Sequence, residues 1–186
     1  MMLVFGGGRS DQLGRGAAAG QLVGDGRPDL IIGAHNALEP ATNTRPGAAY
    51  IISGERLAAL QRQPAQAGDR RVDSVGSDTD TALYGVLNGS QFGTEVGYQQ
   101  GRLVVTAPRS RAGEANRIGG ARIFEFDDGV PRVVADIIVE TPRYDGRMGD
   151  TLAIDPSRPF MAIGGHQGEG TGPENGAVYY FELSEL

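Results

Sequence analysis

Cysteine is absent from this 186-residue chain, so disulfides and thiolate metal sites are excluded and the redox compartment has no marker. No apolar run approaches the length of a membrane-spanning helix, about 20 residues. The opening Met1-Met2-Leu3-Val4-Phe5-Gly6-Gly7-Gly8 has neither a basic leader nor a long apolar centre, and no signal peptide is visible in it. Concentrated basic charge is also missing. The net charge is -6 and the nearest basic stretch, Arg109, Arg111 and Arg117, is interrupted by Glu114. Nucleic-acid backbone needs a continuous basic patch, so that class of partner is excluded. Aromatics are few, 6 Phe and 6 Tyr, and no long amphipathic helical pattern occurs.

What the chain has in quantity is glycine, 30 residues, with 10 prolines. These punctuate short apolar runs and predict a turn-rich, all-β chain. Three times a short strand ends in small residues, passes through a polar loop and returns as a second strand. The copies are Leu30 to His35 with Gly47 to Ile52, Leu103 to Pro108 with Gly120 to Phe126, and Met161 to His166 with Gly176 to Phe181. Before each lies a hydrophobe followed by glycine: Leu13-Gly14, Phe92-Gly93 and Met148-Gly149. A unit of this kind cannot bury its apolar face alone, so copies must stack.

Extra chain separates the first two copies. It lies in Gly54 to Asn88, where the pattern predicts a short helix over Glu55 to Gln63 stopped by Pro64, followed by a polar run. A fourth strand is expected near Leu83 to Leu87 and again at Val133 to Val139. Strands grouped by fours read as propeller blades rather than a sandwich. The expected boundaries are one domain over 1–186, with units at about 9–53 (outer region 54–88), 89–140 and 141–186. Residues 2–7 read as the return strand of a preceding blade.

The stretch Leu13 to His35, with its Leu13-Gly14 and Gly33-Ala34, resembles the FG-GAP repeat of integrin-alpha-type β-propellers. Phe92-Gly93 with Thr106-Ala107-Pro108, and Met148-Gly149 with Gly164-Gly165-His166, look like diverged copies. The resemblance implies a partial propeller of about three four-stranded antiparallel blades. It also implies an extracellular or cell-surface setting and a role in adhesion or ligand binding. Family members usually close seven blades, which three cannot do. Three arrangements follow: part of a longer propeller, identical arcs closing a ring, or an open arc with adapted faces.

In the resembled family the loop corresponding to Gln21 to Asp29 often binds calcium through alternating oxygen donors around a turn glycine. The positions here are Gln21, Val23, Asp25 and Asp29, with Gly26 in the turn. That implies one degenerate calcium site on Gln21, Asp25 and Asp29. The competing reading is a tight Asp25-Gly26 turn in which Asp29 accepts hydrogen bonds from main-chain amides. The second copy, Gln99-Gln100-Gly101-Arg102, has no carboxylate; the third keeps Asp155 beside Arg158, which favours a turn.

His35 and His166 share one repeat position, which points to a shared structural task more than to metal or acid–base chemistry. The glycine clusters lack a phosphate-loop arrangement and imply no nucleotide. Tyr50, Phe124, Phe126, Tyr179, Tyr180 and Phe181 on the return strands are expected between blades. Binding is expected on the loops Asn36 to Pro46, Arg109 to Gly119 and Gln167 to Asn175, which should emerge on one face. Arg45, Arg109, Arg111, Glu114, Glu169 and Glu174 mark a polar partner surface there. The leading function is non-catalytic binding of a protein or glycan, with other blades or identical chains as further partners. A propeller hydrolase and a purely structural scaffold are the alternatives.

Overall fold

Short alternating runs and glycine turns form strands, and the strands assemble as three separate meanders. The computed structural model describes residues 4–6, 8, 10–24, 26–62, 70–71, 80–111, 118–138, 146–166 and 176–186. In chain order these hold β1 (Val4–Phe5), β2 (Leu13–Gly20), β3 (Asp29–Ala34), β4 (Ala48–Ile52), α1 (Gly54–Arg62), β5 (Arg70–Arg71) and β6 (Thr81–Tyr84). There follow β7 (Val96–Gln99), β8 (Arg102–Thr106), β9 (Gly120–Asp127), β10 (Val130–Ile138), β11 (Thr151–Ile154), β12 (Phe160–Gly165) and β13 (Ala177–Glu182), then a 3-10 turn at Leu183–Glu185. The first sheet runs β2-β3-β4-β6, the second β7-β8-β9-β10 and the third β11-β12-β13, all with antiparallel neighbours. The third therefore has three strands among the described residues, where four were expected.

The helix expected from Glu55 is present as α1. Of residues 2–7, expected as the return strand of a preceding blade, Val4–Phe5 form β1, which pairs in parallel with β5 inside the extra segment, while residues 2, 3 and 7 lie outside the described residues. Parallel pairing with a distant segment leaves no signal in local alternation.

Each hydrophobe–glycine step is a backbone hook. The residue before the hydrophobe and the glycine after it both take positive φ: Gln12 57° and Gly14 93°, Gln91 59° and Gly93 83°, Arg147 48° and Gly149 110°. Glycine accepts this region without cost, and the alternation swings the intervening side chain out of its own strand. Phe92 and Met148 then bridge in parallel to the preceding sheet at Gly47 and Gly119. Their amides donate to Pro46 O at 2.9 Å and Ile118 O at 3.1 Å. This pairing corrects the repeat: Gly119, at φ 78°, matches Gly47 and Gly176, and Gly120 takes the place of Ala48. Adjacent glycines in the sequence hid the one-residue offset.

Two apolar seams join the sheets. Ile31, Ala49 and Ile51 of the first pack on Phe92, Val96 and Leu103 of the second. Val104, Ala121 and Ile123 of the second pack on Met148, Met161 and Ile163 at the third. Fully burying each such large side chain stabilises by about 1.5–3 kcal/mol. Close approach is set by small residues on the leading strands: a Cβ at Gly16 would lie 2.8 Å from Glu95 Cα, and one at Gly20 would meet the Tyr98 ring. Thr106 fastens the second seam, donating to Gly149 O at 2.7 Å while accepting from the Glu95 amide at 3.0 Å.

Candidate partner-binding surfaces

The loop before β3 is closed by its own aspartate. Asp29 is 1% exposed; its Oδ2 accepts from the Leu22 and Val23 amides at 2.6 and 2.9 Å, and its Oδ1 from the Gly54 amide at 3.0 Å. One carboxylate thus ties the β2–β3 loop to the start of α1. Gln21 is exposed, its carbonyl accepting from the Tyr98 hydroxyl at 3.1 Å; Asp25 lies outside the described residues. The matching turn in the third sheet uses the same chemistry. Asp155 Oδ1 accepts from the Ser157 amide at 2.9 Å and hydroxyl at 2.7 Å, and Oδ2 from Arg158 Nε at 2.9 Å. The Ser157 donors, with Arg158, hold its carboxyl well below the usual carboxylate range. Gln99, at the carboxylate-free position of the second copy, is buried and donates to the Asp155 and Arg158 carbonyls of that turn. Its place in the repeat was legible; its reach into the next sheet was not.

The loop residues expected at a partner surface have different fates. Arg45 is committed inward, to Asn36 O at 2.8 Å and the buried Asp11 at 3.5 Å. Asp11 also accepts from the Gly8 amide at 2.8 Å, a role that sequence reasoning missed. Arg109 docks its amide on Ser90 O at 3.0 Å, and the Arg45 carbonyl accepts from the Gly89 amide at 2.9 Å. Both loops therefore flank the same turn, Val86 to Ser90. Glu114, Glu169 and Glu174 lie outside the described residues.

Between that turn and the second sheet runs a groove of about 360 Å³. Val86, 72% exposed, Leu87 and Ile138 form apolar walls over Phe92, and Arg111 stands among the lining residues. The carboxylate among its described lining residues, Asp136, is held bidentately by Arg122 at 2.6 and 2.9 Å, and that bond helps raise the Arg122 pKa. Nothing in the alternation of β10 announced a groove, because its other wall comes from the first sheet.

The two histidines do not share a task. His35 is buried at the first seam, its pKa pushed down by burial and then by the Arg15 and Arg109 charges; Nδ1 has no hydrogen-bond partner among the described residues. His166 is exposed, with Nδ1 against the Asp150 carboxylate and Nε2 3.4 Å from an Arg147 guanidinium nitrogen. With Nδ1–H donated to Asp150, that guanidinium occupies the lone pair a general base would need. Among the described residues no group of three or more metal-ligating side chains is gathered, and no helix is long and apolar enough to cross a membrane.

The outward face of the third sheet is the second surface. By strand register, Val178 and Tyr180 of β13 occupy the places of Ala49 and Ile51 in β4 and of Ala121 and Ile123 in β9. Those four are at most 5% exposed, whereas Val178 is 74% and Tyr180 65% exposed. Tyr180 stacks on Phe160 at 5.2 Å, and Arg158 lies over Phe160 at 5.5 Å. Of the return-strand aromatics expected between sheets, Tyr50 and Phe124 are buried and Phe126, Tyr179 and Phe181 pack partly into seams; Tyr180 faces out. No protein-family model matches the chain, and no curated protein matches it.

Proposed function

We propose that the chain is a non-catalytic binding segment built as propeller-type blades, whose loop end seats a protein partner. The observation that carries this reading is the groove between the Val86 to Ser90 turn and the second sheet. It is concave, apolar along its walls, and bordered by the loops of two successive repeats. Apolar side chains of a protein segment fit such walls better than the hydroxyl-rich surface of a glycan. Arg111 adds a cation at the groove, while Asp136 is already neutralised by Arg122. The hydrolase alternative needs a free base in a concavity, and in this groove the described carboxylate is engaged. The resemblance to FG-GAP repeats supports the blade reading and an extracellular setting.

The test is a binding screen of the intact chain against immobilised protein and glycan panels, repeated with a Val86→Asp, Ile138→Asp double variant. Both side chains are exposed, so the variant should melt within about 2 °C of the parent. Protein binders lost in the variant support the reading. Binding that survives the variant, or a screen in which only glycans score, sinks it.

A further inference from the structure

The repeat has a donor side and an acceptor side, and the chain ends its two internal seams with one of each unused. A donor side brings a hook and bulky residues on the leading strand: Val96 and Tyr98 in β7, Leu152 and Ile154 in β11. An acceptor side keeps that strand small, as with Ala18 in β2 and Gly97 in β7, and puts apolar residues on the two strands behind it. The donor side of the first sheet is not built to plug. Its leading strand carries only Ala17 and Ala19 where the others carry bulky residues, α1 lays Leu57 on Ile32 and Ile52, and Gly6 lies close against Leu13. The acceptor side of the third sheet is intact. Ala153 is small, Ala162, Val178 and Tyr180 stand behind it, and Gly176 takes φ 69°, close to the 87° and 78° of Gly47 and Gly119 where hooks dock.

We infer that the array is directional: its first sheet is backed by α1, and its third is open and accepts one further repeat sheet. That occupant carries a hydrophobe–glycine hook followed by bulky apolar residues at alternate positions. Both seams inside the chain are made this way, so the open face continues an interface already present twice. A second copy of this chain is the wrong occupant, because the leading strand of its own unused donor side carries only the small, exposed Ala17 and Ala19 and α1 packs on Ile32 and Ile52 behind it; the same reason speaks against rings of identical arcs. The inference rests on the blade reading, but not on the loop groove, and variants at the groove leave its readout unchanged.

The chain has no cysteine, so Val178→Cys gives a single thiol reporter on the open face. In the otherwise unaltered chain that thiol should react with a maleimide at the rate of a free thiol, and light scattering should give a monomer. The partner sheet is supplied as a tethered probe: the chain extended after Leu186 by a second copy of residues 128–186, with valine kept in the copy. Thiol reactivity should then fall about tenfold, and Met148→Asp in the appended copy alone should restore it. A second extension, a copy of residues 86–138 with its Phe92 hook, is run beside the first. Failure of both extensions to protect the thiol overturns the inference, as does a dimer of the unextended chain that buries it.

Discussion

Asp29 is the side chain whose removal should be felt furthest along the chain. Asp29→Ala strips the acceptor from three main-chain amides, those of Leu22, Val23 and Gly54, at a site that is 1% exposed. Hydrogen bonds to a charged acceptor contribute about 1.5–3 kcal/mol each. Two corrections reduce the sum: the Val23 amide lies in a half-buried stretch where water can replace the carboxylate, and the variant no longer has to desolvate a charge. A net loss of about 3 kcal/mol follows. With a urea dependence of about 2.5 kcal/mol/M for a chain this size, the midpoint should fall by about 1.2 M. Asp29→Asn keeps one oxygen for Leu22 and Val23 but turns an amide donor toward the Gly54 N–H, so it should lose about half as much. A midpoint shift under about 0.3 M for the alanine variant would refute the assignment of Asp29 as the loop's closing group. The same titrations with calcium and with chelator should coincide, because N–H donors already occupy both carboxylate oxygens. A calcium-dependent rise would show instead that the Gln21 to Asp29 loop holds the cation.

Two further outcomes test the seams. Gly16→Ala places a Cβ 2.8 Å from Glu95 Cα and equally close to the Val96 nitrogen; main chain cannot step aside there, so stability should fall by about 2 kcal/mol, or about 6 °C in melting temperature, and an unchanged melt would contradict the packing. His35 is held below its ordinary value by burial and by Arg15 and Arg109, while the unfolded chain titrates near about 6.5. The unfolded state therefore binds more protons in the interval between, so this contribution is complete above the unfolded value and is lost as pH falls through the folded one. Melting temperatures from pH 7.5 to 5.5 should decline more steeply for the parent than for His35→Gln, and parallel curves would be the contrary result.

Much of the local structure was legible because it depends on neighbours in sequence. Leu30-Ile31-Ile32 and Leu103-Val104-Val105 could only be buried strands, and Pro64 marked the end of the helical pattern that forms α1. Asp155 beside Ser157 and Arg158 announced the turn it makes. The fourth strand of the first sheet was placed a little late, at Leu83 to Leu87 against the observed Thr81–Tyr84, because Val86 and Leu87 are apolar yet wall a groove. Arg45 illustrates the opposite case. A loop arginine is ordinarily solvated, and only the fold brings the buried Asp11 within 3.5 Å of it.

By itself the sequence determined that this is a repeated, glycine-hinged β chain, that each copy opens on a hydrophobe–glycine hook, and that its loops are closed by turn chemistry. These follow from φ preferences and from two-residue alternation, which act over a few bonds. Only the tertiary structure decided that Gly119 and not Gly120 receives a hook, that His35 is buried while His166 faces solvent, and that α1 packs on Ile32 and Ile52 of the first sheet while Val178 and Tyr180 stay open on the third. Each of these depends on which distant strand lies across an apolar face. Val178 and Ala121 sit at one repeat position, and what separates them is whether another sheet lies against them.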